Sequence, residues 1–226
     1  MDFTGIGSEW FLALGSILLV NLILSGDNAV IIALASKNLP LEQRRVAVFW
    51  GSAGAVVLRI ILTFAAAYLL DIPYLQFAGG LALLWIAISL LGDKGADHGY
   101  GPAASLSEAI KIILVADLVM SLDNVLALAA ISQTVPSGKY ALISIGLATS
   151  IPLVVAGAQM LMRLMDRFPV IVYLGAAVLG YAAAEMMVSD KAVGAVVEGY
   201  ELLMKLVLAA VVVLVGYWKK TRRTIG

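Results

Sequence analysis

Two short polar strings recur inside apolar sequence. Asn21-Leu-Ile-Leu-Ser25-Gly-Asp27-Asn28-Ala is answered 96 residues later by Asp117-Leu-Val-Met-Ser121-Leu-Asp123-Asn124-Val. The same offset relates Ser36 to Ser132, Pro40 to Pro136, Pro73 to Pro169 and Gly79 to Gly175 without a gap. Residues 10–92 and 106–188 therefore read as two copies of one unit. A charged side chain in the hydrocarbon layer costs roughly 2.5–3.5 kcal/mol even on insertion-based scales. Aspartates at matching places in both copies thus point to a function that needs them.

Composition makes the bilayer the solvent. Mean hydropathy is +1.00, and the apolar runs are too long for buried core helices of a soluble domain. The expected fold is an all-α membrane protein of seven transmembrane helices, at about 10–36, 45–70, 74–92, 106–132, 138–164, 168–188 and 201–218. Trp10 with Phe11, Phe49 with Trp50, Tyr74, Tyr140, and Tyr217 with Trp218 stand near span ends, where aromatic rings suit the headgroup level. With the amino terminus outside, eleven Lys and Arg residues fall on the cytoplasmic side and three outside, with Arg59 inside a span. That asymmetry fixes the expected orientation. Because each unit holds three spans, the second copy must enter from the opposite face. The expectation is two inverted three-helix repeats plus one C-terminal helix, as in many secondary transporters. No Lys or Arg precedes Trp10, so the first apolar run is expected to remain a span rather than a cleaved signal.

Residues 93–105, with Asp93, Asp97, Gly99, Gly101 and Pro102, read as the linker between units, and the single histidine, His98, falls in it as a solvated loop residue. The basic run Lys219 to Arg223 reads as a topology anchor beside anionic lipid, not a nucleic-acid surface. The chain has no cysteine, which excludes disulfides and thiolate metal sites.

At about 100° per residue, Asn21, Ser25 and Asn28 share one helix face, as do Asp117, Ser121 and Asn124; Asp27 and Asp123 sit one position to the side. Such faces turn toward protein or a water-filled cavity rather than lipid. Ser-Gly-Asp-Asn is also a poor helix interior, and a break at Gly26 would free carbonyls next to a carboxylate. Leu122 replaces Gly26 in the second copy, which makes a break there weaker. Two carboxylates, two amides and two hydroxyls form an all-oxygen set suited to Mn²⁺, Ca²⁺ or Mg²⁺. Two aspartates also balance one divalent ion. The plainer reading is that Asp27 and Asp123 only cap half-helices.

Three ionisable residues break the symmetry. Arg59 is matched by Val155, Asp117 by Asn21, and Glu185 by Ser89. An unpaired guanidinium in a span is costly, so Arg59 is expected to pair with a buried acid such as Asp117 or Glu185. Glu185 and Asp117 are candidate metal or proton-relay groups, while Met186 and Met187 read as packing. An empty site holding two close carboxylates favours proton uptake, so protons are the expected coupling ion, with Na⁺ as the alternative.

The two motifs, together with Gly180-Tyr-Ala-Ala-Ala-Glu185-Met-Met-Val-Ser-Asp190, resemble the TerC/Alx family of bacterial integral membrane proteins over nearly the whole chain. The resemblance implies a seven-span, two-repeat protein of the bacterial inner membrane that exports Mn²⁺. Asp27, Asn28, Asp123 and Asn124 are then the metal site, and Asn21, Ser25, Asp117, Ser121 and Glu185 its auxiliary groups. It implies no resident cofactor, only the transported metal, and no enzyme activity. Competing readings are a non-transporting scaffold or metal sensor in a stress or tellurite-resistance complex, and an intramembrane aspartyl protease, whose two aspartates need neither the Asn after each nor an inverted repeat. Without a Walker A loop, ion gradients are the expected energy source.

Overall fold

The computed structural model describes residues 8–24, 26–69, 72–91, 105–132, 135 and 138–224, with some side chains, that of Asp123 included, outside the description. Among these residues the chain is helical, without strands: α1 (Ser8–Leu24), α2 (Gly26–Ser36), α3 (Leu41–Leu69), α4 (Leu75–Leu90), α5 (Leu106–Ser132), α6 (Lys139–Arg167), α7 (Val170–Ser189) and α8 (Glu201–Thr224), with one 3-10 turn at Gly194–Val196.

Prolines mark the starts. Pro40 and Pro169 stand immediately before α3 and α7, and Pro73 two residues before α4, where a fixed φ and a missing N–H are tolerated. Pro152, by contrast, lies inside α6. α3 starts at Leu41 rather than near 45, and α6 continues to Arg167 rather than 164. Apolar character marks the membrane limits, while the helical hydrogen-bond ladder runs on through polar turns such as Glu42-Gln43-Arg44.

α3, α6, α7 and α8 each contain a stretch long and apolar enough to cross a bilayer, and α1 with α2 forms a fifth such unit, bent by 46°. α4 is a shorter apolar helix of 16 residues. α1 ends at Leu24 and α2 starts at Gly26, whereas α5 runs unbroken through Leu122. Glycine is roughly 1 kcal/mol less favourable than alanine in a helix interior, and leucine is nearly as good as alanine. That contrast separates the two copies.

Contacts define the helix directions. Trp10 lies against Gly138, Ile17 against Gly146 and Ala29 against Gly157, so α1 and α2 run with α6. Ile113 lies against Gly51, and Asp117 meets Arg59, so α3 runs with α5. Arg44 pairs with Asp166 and the Phe64 ring meets Tyr140, so α3 runs against α6. The α1–α2 pair therefore points opposite to α5. α4 and α7 are also antiparallel: Phe77 at the start of α4 meets Asp190 just past the end of α7, while further along α4 a Cβ on Gly80 would come within 2.6 Å of the Ala183 carbonyl oxygen.

The contacts between the halves are reciprocal. α3 packs on α5 while α6 packs on α1 and α2; α4 packs on α5 while α7 packs on α2; α3 meets α6, and α4 meets α7. Ile17 and Ile113, 96 residues apart and both fully buried, each fill a notch left by a glycine of the other half. A Cβ would lie 2.5 Å from Ile17 at Gly146 and 2.8 Å from Ile113 at Gly51. Ile113 shares a core with Leu34, Leu83, Ile112 and Leu179, drawing on α2, α4, α5 and α7, while Ile17 belongs to a second one with Leu142 and Leu147 of α6.

The short α4 is held at both ends. Asp190, buried just past α7, accepts N–H groups from Tyr74 (3.3 Å) and Phe77 (3.2 Å), and from Ala192 (2.9 Å). At the other end Lys37 Nζ donates to the Leu90 carbonyl at 3.1 Å. An anion at the amino end and a cation at the carboxyl end both complement the helix dipole. Tyr74 adopts left-handed backbone (φ 62°) there, a conformation uncommon outside glycine. Burial by itself would raise the Asp190 pKa, but donation from Ala192, Phe77, Tyr74 and Gln76 outweighs it and holds the carboxyl below the ordinary aspartate value.

Candidate functional site

The polar centre is built around Arg59, on α3 and 4% exposed. Its guanidinium donates from Nε to Ser121 Oγ at 3.0 Å, from Nη1 to Asn21 Oδ1 at 3.1 Å and from Nη2 to Asp117 Oδ1 at 2.5 Å. Ser121 Oγ in turn donates to Asp117 Oδ2 at 3.1 Å, and Thr63 Oγ1 donates to the Arg59 carbonyl at 2.7 Å. Asp117 and Ser121 lie one turn apart on α5, and Arg59 and Thr63 one turn apart on α3, so each helix offers one polar face to the other. One guanidinium thus joins α1, α3 and α5. Removing either member of a buried ion pair costs about 3–5 kcal/mol, because the other is left charged and unpaired.

Asp27 occupies the first turn of α2, where its Oδ1 accepts the Asn28 N–H at 2.8 Å. A carboxylate is stabilised at a helix amino terminus, and this one also lies within electrostatic reach of Arg59 and Asp117. Asn28 is buried on α2 and Asn124 on α5. Asp123 belongs to α5 by its backbone; its side chain, and Ser25 altogether, lie outside the described residues.

The residues singled out from the sequence therefore divide. Asn21, Asp117 and Ser121 converge on Arg59, with Asp27 within electrostatic reach of the pair. Glu185 does not join this cluster. Its Oε2 is held by Lys205 Nζ of α8 at 2.6 Å, so of the two acids anticipated for Arg59 only Asp117 meets it. Among the described residues no three His, Cys, Asp or Glu side chains are grouped to hold a metal. A divalent ion at the motif would accordingly need amide and hydroxyl oxygens besides the carboxylates. Their hardness suits Mn²⁺, Ca²⁺ or Mg²⁺.

Several contacts had no sequence signal. Lys205 lies outside both repeats and has no counterpart to suggest its partner. Arg44 Nη1 reaches Asp166 Oδ2 at 2.7 Å across 122 residues, while its Nε donates to the Leu39 carbonyl at 2.9 Å. Its Nη2 donates to the Lys37 carbonyl.

Apolar helices surrounding a buried, charge-paired polar centre define an integral, multi-pass helical membrane protein. Residues 6–224 match the Integral membrane protein TerC family, and the chain belongs to that family. It is 43% identical over 183 residues to the uncharacterized membrane protein YjbE of Bacillus subtilis (strain 168), a match covering 81% of this chain and 82% of the relative. Similarity extends to the uncharacterized membrane protein YkoY of the same organism, at 27% identity over 73% of this chain and 56% of the relative. A match to the UPF0053 inner membrane protein YgdQ of Escherichia coli (strain K12) has 29% identity and covers 54% of this chain and 60% of that protein. No solved structure matches the chain.

Proposed function

We propose that this protein exports a divalent cation, Mn²⁺, across the bacterial inner membrane by alternating access, in exchange for protons. The observation that carries the reading is the junction of α1 and α2. There the chain bends by 46°, with Asp27 in the first turn of α2 within electrostatic reach of a buried charged cluster that joins three helices. Asp27, Asn28, Asp123 and Asn124 are the metal ligands in this scheme. The oxygen-rich motif suits Mn²⁺, Ca²⁺ or Mg²⁺ alike, and the choice of Mn²⁺ rests on the family resemblance.

The opposed directions of α1–α2 and α5, with the reciprocal packing of the halves, support seven spans arranged as two inverted repeats plus α8. Such a fold can rock about a fixed central site. The excess of Lys and Arg on one side supports an external amino terminus and a cytoplasmic carboxyl terminus.

The test is uptake of radioactive Mn²⁺ into inverted membrane vesicles, then into proteoliposomes under an imposed pH gradient. Metal should move inward as protons move outward. Asp27→Asn and Asp123→Asn should each abolish uptake while the protein stays in the membrane. Full activity in the double variant would reduce both aspartates to helix caps, and flux that ignores pH but requires Na⁺ would replace the coupling ion.

A further inference from the structure

Two of the three ionisable residues that break the symmetry of the halves cancel each other in charge. Asp117 stands where the first copy has Asn21, and Arg59 stands where the second has Val155. These exceptions meet as a single ion pair at 2.5 Å, with both side chains only 5% exposed. The added acid and the added base therefore neutralise each other. The formal charge left on the motifs is −2, from the two symmetric aspartates, Asp27 and Asp123.

We propose that Arg59 is a resident monovalent cation that fixes the valence of the carried ion at two. It neutralises Asp117 and engages Asn21 Oδ1 and Ser121 Oγ. The inference rests on the divalent-cation reading and deepens it. Arginine suits the task because it stays charged in any protein environment and its rigid fork serves several acceptors at once. In a buried setting one uncompensated charge a few ångströms from a bound ion changes affinity by orders of magnitude. The count of fixed charges thus selects among ions more strongly than small differences in ligand distance.

The experiment uses the full-length protein in detergent and measures binding of Mn²⁺ and of Tb³⁺, a trivalent probe that also prefers oxygen ligands. Asp117→Asn leaves one negative charge and should weaken Mn²⁺ binding by about tenfold or more. Arg59→Val leaves three and should shift preference from Mn²⁺ toward Tb³⁺ by about tenfold or more. The double variant carries the symmetric residues at both positions, and should return Mn²⁺ affinity and the ion preference to within about threefold of wild type. Arg59→Lys keeps the charge without the fork and should preserve the ion preference even where it lowers stability. A double variant as impaired as the worse single would make the guanidinium a structural tether and overturn the proposal, as would a shifted preference in Arg59→Lys. If the wild type does not bind Mn²⁺, the divalent reading fails and takes this proposal with it. Wild-type binding without rescue in the double variant defeats this proposal alone.

Discussion

Lys205 of α8 holds Glu185 of α7 at 2.6 Å, and its ammonium stands 5.8 Å from the centre of the Tyr181 ring. The ion pair is one of the specific links of α8 to the rest of the helices. Another is the close approach at Gly180, where a Cβ would lie 3.0 Å from Ala209 Cα. Because the Glu185 side chain is 46% exposed, solvent and headgroups screen it, and the pair contributes at most about 1 kcal/mol. Glu185→Gln should keep at least about half of wild-type Mn²⁺ flux, with no further loss when combined with Lys205→Met. A much larger loss, with an altered pH profile of transport, would restore Glu185 as a proton relay.

The α4–α7 contact depends on bare backbone. At Gly80 a Cβ would meet the Ala183 carbonyl oxygen at 2.6 Å, an atom that cannot swing aside as a side-chain tip can. Gly80→Ala should cost about 1–3 kcal/mol. At Gly51 the nearest obstacle is the Cδ1 end of Ile113, 2.8 Å away. Gly51→Ala should therefore be the milder of the two in a thermal unfolding series, and equal losses would mean that α4 does not press on α7 as closely as described.

Such contacts mark the boundary of what the sequence discloses. The helical segments and the interruption before Gly26 are legible because they follow from local periodicity and from proline and glycine. The need of Arg59 for an acid is legible too, since an unpaired buried guanidinium is costly. Its choice of Asp117 over Glu185 is not, because it depends on α3 lying along α5 while Glu185 faces α8. Asp190 has the same history: one residue beyond an apolar run it looks like any loop acid, and only the approach of the α4 amino terminus makes it a cap. Arg44 and Asp166 meet across 122 residues, a separation at which sequence carries no pairing information without a repeat to guide it.

The orientation proposed from charge can be tested chemically, because the chain contains no cysteine to interfere. Val196, 81% exposed between α7 and α8, should be outside, and Glu42, exposed in the first turn of α3, should be cytoplasmic. A membrane-impermeant maleimide applied to intact cells should label Val196→Cys and spare Glu42→Cys until the cells are opened. The reverse pattern would turn the protein over and make the proposed export an import.

Asp190 gives a pH dependence whose sign can be worked out. Its carboxyl accepts N–H groups of Tyr74, Phe77 and Ala192, and its pKa in the folded protein lies below the ordinary aspartate value. A group whose pKa is lowered by folding stabilises the fold while it is ionised. That contribution is complete above the unfolded pKa of about 3.9, and disappears as pH falls through the lower folded value. Asp190→Asn keeps an oxygen acceptor but loses the charge at the α4 amino terminus. It should lower stability by about 0.5–2 kcal/mol at neutral pH, as loss of a helix cap does. The gap between wild type and variant, followed by thermal unfolding in detergent, should stay constant from neutral pH down to about pH 5 and then close with further acidification. A gap that widens in acid would show that folding raises this pKa, and that the carboxyl is protonated when it caps α4.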